Sequence, residues 1–480
     1  MFVSTPSSTV RPNAVLAVLA SAGILAALMQ TLVVPLLGQL PQILHSTPSN
    51  TTWVVTVTLL VGAVVTPVAG RLGDMYGKRP VLLASFVPLV IGSVVCATAT
   101  AVLPMIIGRG LQGMGVGIIP LGISAIRDLL PPERLGSAIA LISASLGIGG
   151  ALGLPVAAAV VENSDWRMLF WGCAVLAAVV GVLIFLVIPH IPTDGPAGRF
   201  DYLGAVGLGI GLVCLLLAVS KGASWGWSST TILGLFAAAI VAILIWGWYE
   251  LRTSQPLVDL RVTARPQVLV TNATSVVVSM AMYAQALLIP QLLQLPKSTG
   301  FGLGQSMLAM GLWMAPAGFT MMLMSPVGAR LSAARGPKFT LAAGCVVIAT
   351  GYAISLLVMG STWGILAVTV TINIGVGFAY GAMPALIMGA VPHSETAAAN
   401  SFNTLMRAVG TSISAAIVGA ILAQMTVSVG GHMFPTENGF RVGLLIGCGV
   451  AIMGAALASA IPVQRVLTGV APRPKVASKV

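Results

Sequence analysis

Charge is what this chain has least of. Of 480 residues, 11 are acidic and 23 basic, so 7% are charged while 57% are hydrophobic; a soluble domain would have roughly a quarter charged. That shortage excludes an ordinary cytosolic enzyme. The apolar excess excludes a disordered chain, which stays unfolded for want of apolar surface to bury. Cysteine is sparse as well. Cys96, Cys173, Cys214, Cys345 and Cys448 fall inside apolar runs with neither disulfide nor metal-ligand spacing, so no disulfide scaffold, metal site or cofactor is expected. Histidine is nearly absent: His45, His190, His393 and His432 all fall in predicted loops. No cluster of His, Asp, Glu or a nucleophile shares one depth, as a polytopic membrane enzyme would need.

What is present is long apolar sequence. Mean hydropathy is +1.01, and stretches such as Pro12 to Gly70, Pro266 to Pro296 and Phe339 to Ser394 hold no Asp, Glu, Lys or Arg. A bilayer-spanning helix takes about 20 apolar residues. Cutting the longer stretches at their Pro, Gly, Ser and Asn clusters gives fourteen predicted helices, over 14–37, 52–71, 80–100, 102–125, 136–160, 168–189, 203–220, 231–249, 268–293, 306–329, 338–359, 362–385, 398–424 and 441–462. The fold class is therefore an all-α polytopic membrane protein in contact with lipid. The first run is long for a signal-peptide core and has no basic segment immediately before it, so it reads as a retained helix.

The net charge of +12 is a topology signal rather than a sign of nucleic acid, because Lys and Arg are retained on the cytoplasmic side of a membrane. With the N-terminus inside, seventeen cations fall on that side, among them Arg71, Lys78, Arg79, Arg127, Arg330 and Lys338, and four fall outside, Arg167, Lys221, Lys297 and Arg441. Arg109 and Arg407 lie within helices. The asymmetry predicts an even number of crossings with N- and C-termini cytoplasmic, since one missed helix would invert every later loop.

The chain also repeats. Pro67, Val68, Arg71, Leu72 and Gly77 recur as Pro326, Val327, Arg330, Leu331 and Gly336, each displaced by 259 residues, and Gly115-Val116-Gly117 returns as Gly375-Val376-Gly377, displaced by 260. Two six-helix repeats around a pair of extra helices explain both the offset and the count. The predicted organisation is an N-terminal bundle over 1–190, a linker with two helices over 191–265, a C-terminal bundle over 266–464 and a basic cytoplasmic tail over 465–480. Related membrane halves of this kind place a substrate path at their interface, which rocks to face one side and then the other.

Between the second and third predicted helices the chain reads Gly70-Arg71-Leu72-Gly73-Asp74-Met75-Tyr76-Gly77-Lys78-Arg79. So short a connection needs Gly77 for a positive-φ turn. Lys78 and Arg79 hold the cytoplasmic side, Pro80 opens a helix, and Asp74 is placed near helix N-termini, where a carboxylate is stabilised. This segment resembles the signature loop of the major facilitator superfamily. The resemblance implies a major facilitator fold of two six-helix bundles plus two extra central helices, with Asp74 latching the halves together on the cytoplasmic side. In the second half Ala333 stands where Asp74 would.

Other residues extend the resemblance over essentially the whole chain. Arg109, Gln112 and Gly113 share one face of the fourth helix and match the family's Arg followed by Gln-Gly. An Arg inside a bilayer either faces a wet cavity or finds carbonyl acceptors, so Arg109, supported by Gln112, is a transport or coupling candidate, or else a tie between helices. In the fifth helix Ser145, Gly149, Gly153 and Ala157 form a small-residue stripe suited to close packing, which resembles the antiporter motif of the drug:proton exporting branch; Pro155 comes one residue late for that motif. Asn403, Arg407 and Gly410 share a face of the thirteenth helix, where the family has an Arg before a Gly-rich run, and Arg407 is a further coupling or gating candidate.

One departure concerns the proton. Where the branch usually carries an Asp in the first helix, this chain reads Leu28-Met29-Gln30-Thr31, and all eleven acids fall in predicted loops or helix ends. No midplane proton carrier is therefore named, and protons enter as the coupling ion through the resemblance. The family's path implies a cavity offering Gln30 and Thr31, then Ser279, Met282 and Gln285, then Asn373 and Tyr380, with Asn403 beside them; each of these also has a plain reading as an interhelical hydrogen bond or packing residue. The resemblance implies a monomeric secondary active transporter of a bacterial plasma membrane, exporting amphiphilic small molecules by alternating access. An importer or facilitator of a metabolite is the alternative. The expectation rests on a polar seam between the bundles that holds a guanidinium and no carboxylate.

Overall fold

The computed structural model describes residues 12–33, 36, 39–190, 199–429 and 432–462; the basic tail expected over 465–480 lies outside them. Fourteen helices are long and apolar enough to cross a membrane. In order they are α1 Pro12–Thr31, α2 Trp53–Tyr76, α3 Lys78–Thr98, α4 Val102–Leu129, α5 Pro132–Asn163, α6 Arg167–Val187, α7 Tyr202–Trp225, α8 Thr230–Glu250, α9 Pro266–Gln294, α10 Met307–Arg335, α11 Pro337–Val358, α12 Thr362–Met388, α13 Thr396–Gln424 and α14 Glu437–Ala460. Short links force antiparallel neighbours, so the two ends of the molecule are alternately the start and finish of each helix. Most of the cations collect at one of them, the basic end.

Two links are shorter than the sequence suggests. α2 runs to Tyr76 and α3 begins at Lys78, so the motif expected as a loop is helical apart from Gly77, whose φ is 95°. The same happens 259 residues on, where Gly336, with φ 87°, is the whole link between α10 and α11. The two halves thus make the same turn with the same residue, because an L side chain at that φ is strained. A feature not foreseen is the antiparallel hairpin between α13 and α14, β1 Thr426–Val429 and β2 His432–Pro435, with Thr426 opposite Pro435. These strands are four residues each, too short for a period-2 signal to separate from a loop.

Packing divides the helices into two bundles. One core runs from Val15, Leu19 and Leu25 in α1 through Phe86, Ile123 and Phe170 to Ile184 in α6. The other runs from Val278 and Leu288 in α9 through Ile348, Tyr352, Ile372 and Met383 to Phe440 and Ala451 in α14. The extra pair, α7 and α8, lies outside both and packs through Leu208, Leu212, Leu216 and Trp246 against Leu60 and Ala63 of α2 and Leu405 of α13. Outward faces carry large apolar side chains such as Leu103, Ile107, Val175, Leu186, Leu244 and Leu357. In water that pattern would aggregate, and it suits a lipid surround. Hydroxyl caps begin α8, α10, α12 and α14, from Ser229, Ser306, Ser361 and Thr436, satisfying amides that their helices leave unpaired. All four lie at the end opposite the basic one.

Candidate functional site

The bundles are joined at the basic end by a carboxylate. α13 starts at Thr396 after an N-cap residue, Glu395, whose side chain makes no capping bond, so its first amides lack an intrahelical acceptor. Asp74 supplies one from the other bundle. Its Oδ1 accepts from the amide of Ala397 at 3.1 Å and its Oδ2 from that of Ala398 at 2.8 Å. Such bonds are charge-assisted, and the helix N-terminus carries positive partial charge. Lys78 lies 3.7 Å from Asp74 Oδ1 and 2.8 Å from Asp128 Oδ2, which keeps the carboxylate, 2% exposed, close to a compensating cation. Beside it Arg127 Nη1 donates to Thr396 Oγ1 at 2.6 Å.

The approach depends on Gly70. A Cβ built there would lie 2.6 Å from Ser401 Cβ and 2.7 Å from the Ala397 carbonyl oxygen, so α2 and α13 touch backbone to backbone. Arg71 has its Nε without a hydrogen-bond partner among the described residues. Arg79 turns away from the latch, donating to the Phe185 carbonyl at 2.6 Å and stacking its guanidinium 5.2 Å from that ring's centre. The molecule is closed at this end.

Arg109 is placed differently from the seam that the sequence suggests. It is 1% exposed and lies inside the first bundle. Nη1 donates to the Met29 carbonyl at 2.8 Å and to Gln112 Oε1 at 2.7 Å, and Nε to the Val54 carbonyl at 3.2 Å. Gln112 in turn donates to Ser93 Oγ at 2.8 Å. One guanidinium therefore ties α1, α2, α3 and α4, and the helix-tie alternative describes its contacts in this conformer. Met29, the residue where the family's acid is expected, meets Arg109 through its backbone carbonyl.

The small-residue stripe of α5 packs on α1. A Cβ at Gly149 would lie 2.6 Å from Ala27 Cβ, and one at Gly153 would lie 2.9 Å from Thr31 Cβ. Thr31 therefore faces α5, with its hydroxyl on the Leu28 carbonyl, and does not offer it to a cavity. On another face of α5, Pro155 packs on Gly311 of α10, where a built Cβ would lie 3.2 Å from the Pro155 nitrogen, so this helix bridges the bundles. Gln30 is half-buried.

In the second bundle the polar candidates find one another. Asn403 donates to Asn272 Oδ1 at 2.9 Å and Ser275 Oγ at 2.8 Å, fastening α13 to α9. Ser279 and Tyr380 share a hydroxyl contact of 3.3 Å between α9 and α12. Arg407, 6% exposed, lies with its guanidinium carbon 4.7 Å from the centre of the Tyr380 ring and donates Nη2 to Thr404. Its Nη1 has no hydrogen-bond partner among the described residues. Gln285 is buried and Met282 half-buried, while Asn373 bonds the carbonyl one turn back, Thr369, at 2.8 Å. No group of three or more potential metal ligands occurs among the described residues.

Several partners were not found from sequence. Asn272, Ser93, Arg127 and Asp128 each sit one helix away from a residue that was singled out. Only the Arg127-Asp128 pair at the end of the fourth helix gave a local signal.

Comparison with known proteins agrees in kind. Residues 19–201 and 202–415 match the family model described as Major Facilitator Superfamily. An uncharacterised MFS-type transporter of Bacillus subtilis, YhcA, is 26% identical over 410 residues, covering 84% of this chain and 76% of that protein. A multidrug resistance protein B homolog of Mycobacterium tuberculosis is 29% identical over 395 residues, 78% of this chain and 70% of its own. Among solved structures, the human organic anion transporter MFSD10 has a TM-score of 0.66 at 15% identity, covering 93% of this chain and 99% of that one, a likeness of fold.

Proposed function

This chain belongs to the major facilitator superfamily, and we propose that it is a secondary active transporter that exports amphiphilic small molecules by alternating access, driven by the proton gradient. The observation that carries this reading is the Asp74 carboxylate, seated on the α13 amides across the bundle boundary. A contact of that kind is made in one conformer and lost in the other. Its two charge-assisted bonds, each of about 1.5–3 kcal/mol, are enough to weight two states by a factor of ten or more, since 1.4 kcal/mol is tenfold. The cation asymmetry supports a latch on the cytoplasmic side, and the proposal sets both termini there and the protein in a bacterial plasma membrane. The conformer described is then the one closed to the cytoplasm. The proposed bodies are 1–190 and 266–464, with 191–265 carrying the extra helices, and the working unit is a monomer.

Gln30, Ser279, Met282, Gln285, Asn373, Tyr380 and Asn403 are the residues proposed to line the path for substrate, with Arg407 as the cation beside them. No carboxylate stands among them to offset a second buried positive charge, so neutral and anionic compounds should be carried in preference to dications. The named multidrug resistance relative supports export over uptake. Reconstituted vesicles with an imposed pH gradient test the reading: an anionic amphiphile should move outward faster than a dicationic dye. Preferred dication export contradicts the substrate class, and inward flux would make the protein an importer.

A further inference from the structure

The extra hairpin hides two carboxylates. Asp201 and Glu250 stand at helix ends facing the basic side, where water would be expected, yet they are 8% and 2% exposed. Asp201 caps α7, its Oδ1 accepting from the Gly204 amide at 2.7 Å and from Tyr249 Oη at 3.2 Å. Its Oδ2 and both oxygens of Glu250 have no hydrogen-bond partner among the described residues. The two side chains converge over Gly204, where a Cβ would strike the Asp201 carboxylate and lie 2.7 Å from Glu250 Oε1. Neither acid forms an ion pair with Lys or Arg among the described residues. Asp201 is the charged neighbour of Glu250, and the neutral donors beside it are the Trp246 indole and the amides of Leu257 and Val258. Leu257, Val258 and Trp246, all buried, close the site.

Two ionised carboxylates cannot share a dry site without a cation. The oxygens are too enclosed for a hydrated ion, whereas a proton needs no room and turns one acceptor into a donor for the other acid. We propose that Asp201 and Glu250 form a proton-binding pair that holds one proton in this closed conformer and gives it up to water on the basic side when the latch opens. The release breaks one carboxyl O–H bond, passes the proton to water and leaves two carboxylates, which then need hydration.

Hydration of the pair is what connects it to movement. Trp246, Leu257 and Val258, which seal the acids, belong to one packed cluster with Leu60 and Ala63 of α2 and Leu405 of α13. Those two helices are the ones that Asp74 joins. Water cannot reach the pair unless that cluster loosens, so a charged pair favours the unlatched state and a latched state favours the proton. This coupling rests on the transporter reading; the occupancy of the site does not.

Infrared spectra of the full-length protein in lipid nanodiscs near neutral pH test the site without any substrate. The carboxylic-acid C=O band of the wild type should vanish in Glu250→Gln, shift in Asp201→Asn, and fade as the wild type is titrated upward. Equal acid bands in wild type and Glu250→Gln, or none in the wild type, overturn the site. Size-exclusion profiles establish that each variant is folded, and the wild-type titration decides the matter should one not be. In vesicles with no gradient imposed, the ratio of flux at low pH to flux at high pH on the basic side should move toward one in Glu250→Gln. A ratio unchanged from wild type overturns the coupling.

Discussion

Asp74 caps a helix that belongs to the other bundle: its Oδ2 lies 2.8 Å from the amide of Ala398 in the first turn of α13, where the helix's own Glu395 contributes no capping bond. A local defect in one half is thus completed by a side chain of the other. In the cycle proposed above, the completion would hold only while the basic end is closed, which would make the contact a reporter of state as well as a source of bias.

The Asp74→Asn variant keeps an acceptor but loses the charge, so the open state should gain. Roughly half of the charge-assisted energy, about 1.5–3 kcal/mol, should be lost. A cysteine placed by Ser401→Cys, sealed against Gly70 in the closed form, should then react with a water-soluble maleimide several-fold faster than in the parent. Equal labelling rates would mean that Asp74 does not hold the end shut.

Gly70→Leu is expected to separate movement from stability. The new side chain would strike Ser401 and the Ala397 carbonyl, neither of which can give without moving α13. The clash lies at the boundary between α2 and α13, so thermal melting in detergent should change less than flux, which falls tenfold or more. A variant that carries substrate normally would show that α2 and α13 need not close so tightly.

For Arg109→Ala the expectation is a joint loss of stability and transport. The substitution leaves the Met29 and Val54 carbonyls and Gln112 without their donor. Interhelical hydrogen bonds in membranes average about 0.6 kcal/mol each, and the cavity left by the missing side chain adds to that. Destabilisation of about 2–4 kcal/mol follows, read as a lower melting temperature. A folded variant of wild-type stability with no transport would instead return Arg109 to a direct role in the path.

Gly149→Val addresses the α5 stripe. A Cβ there meets Ala27 and, at 2.9 Å, the backbone nitrogen of Leu28, so α1 must be pushed off α5 at a cost of about 1–3 kcal/mol or more. Yield of monodisperse protein should fall, whereas Gly150→Ala, with open space around it, should behave as wild type. Similar yields for both would leave the stripe without a packing role.

What the amino-acid sequence settled by itself was whatever depends on near neighbours along the chain. Runs without charge set the fourteen crossings, a 259-residue offset of Pro67, Arg71 and Gly77 set the duplication, and the single permissive residue between Asp74 and Lys78 set a turn that the structure makes twice. Tertiary structure decided which partner each polar group took. Arg109 turned into its own bundle, Thr31 turned toward α5, and Arg407 came to lie over Tyr380. Asp201 and Glu250 look solvated in a hydropathy profile because they end helices. They are dry because Leu257 and Val258, seven and eight residues further on, fold back over them. Burial of a helix end is fixed by what covers it, and neither helix periodicity nor charge counting carries that information.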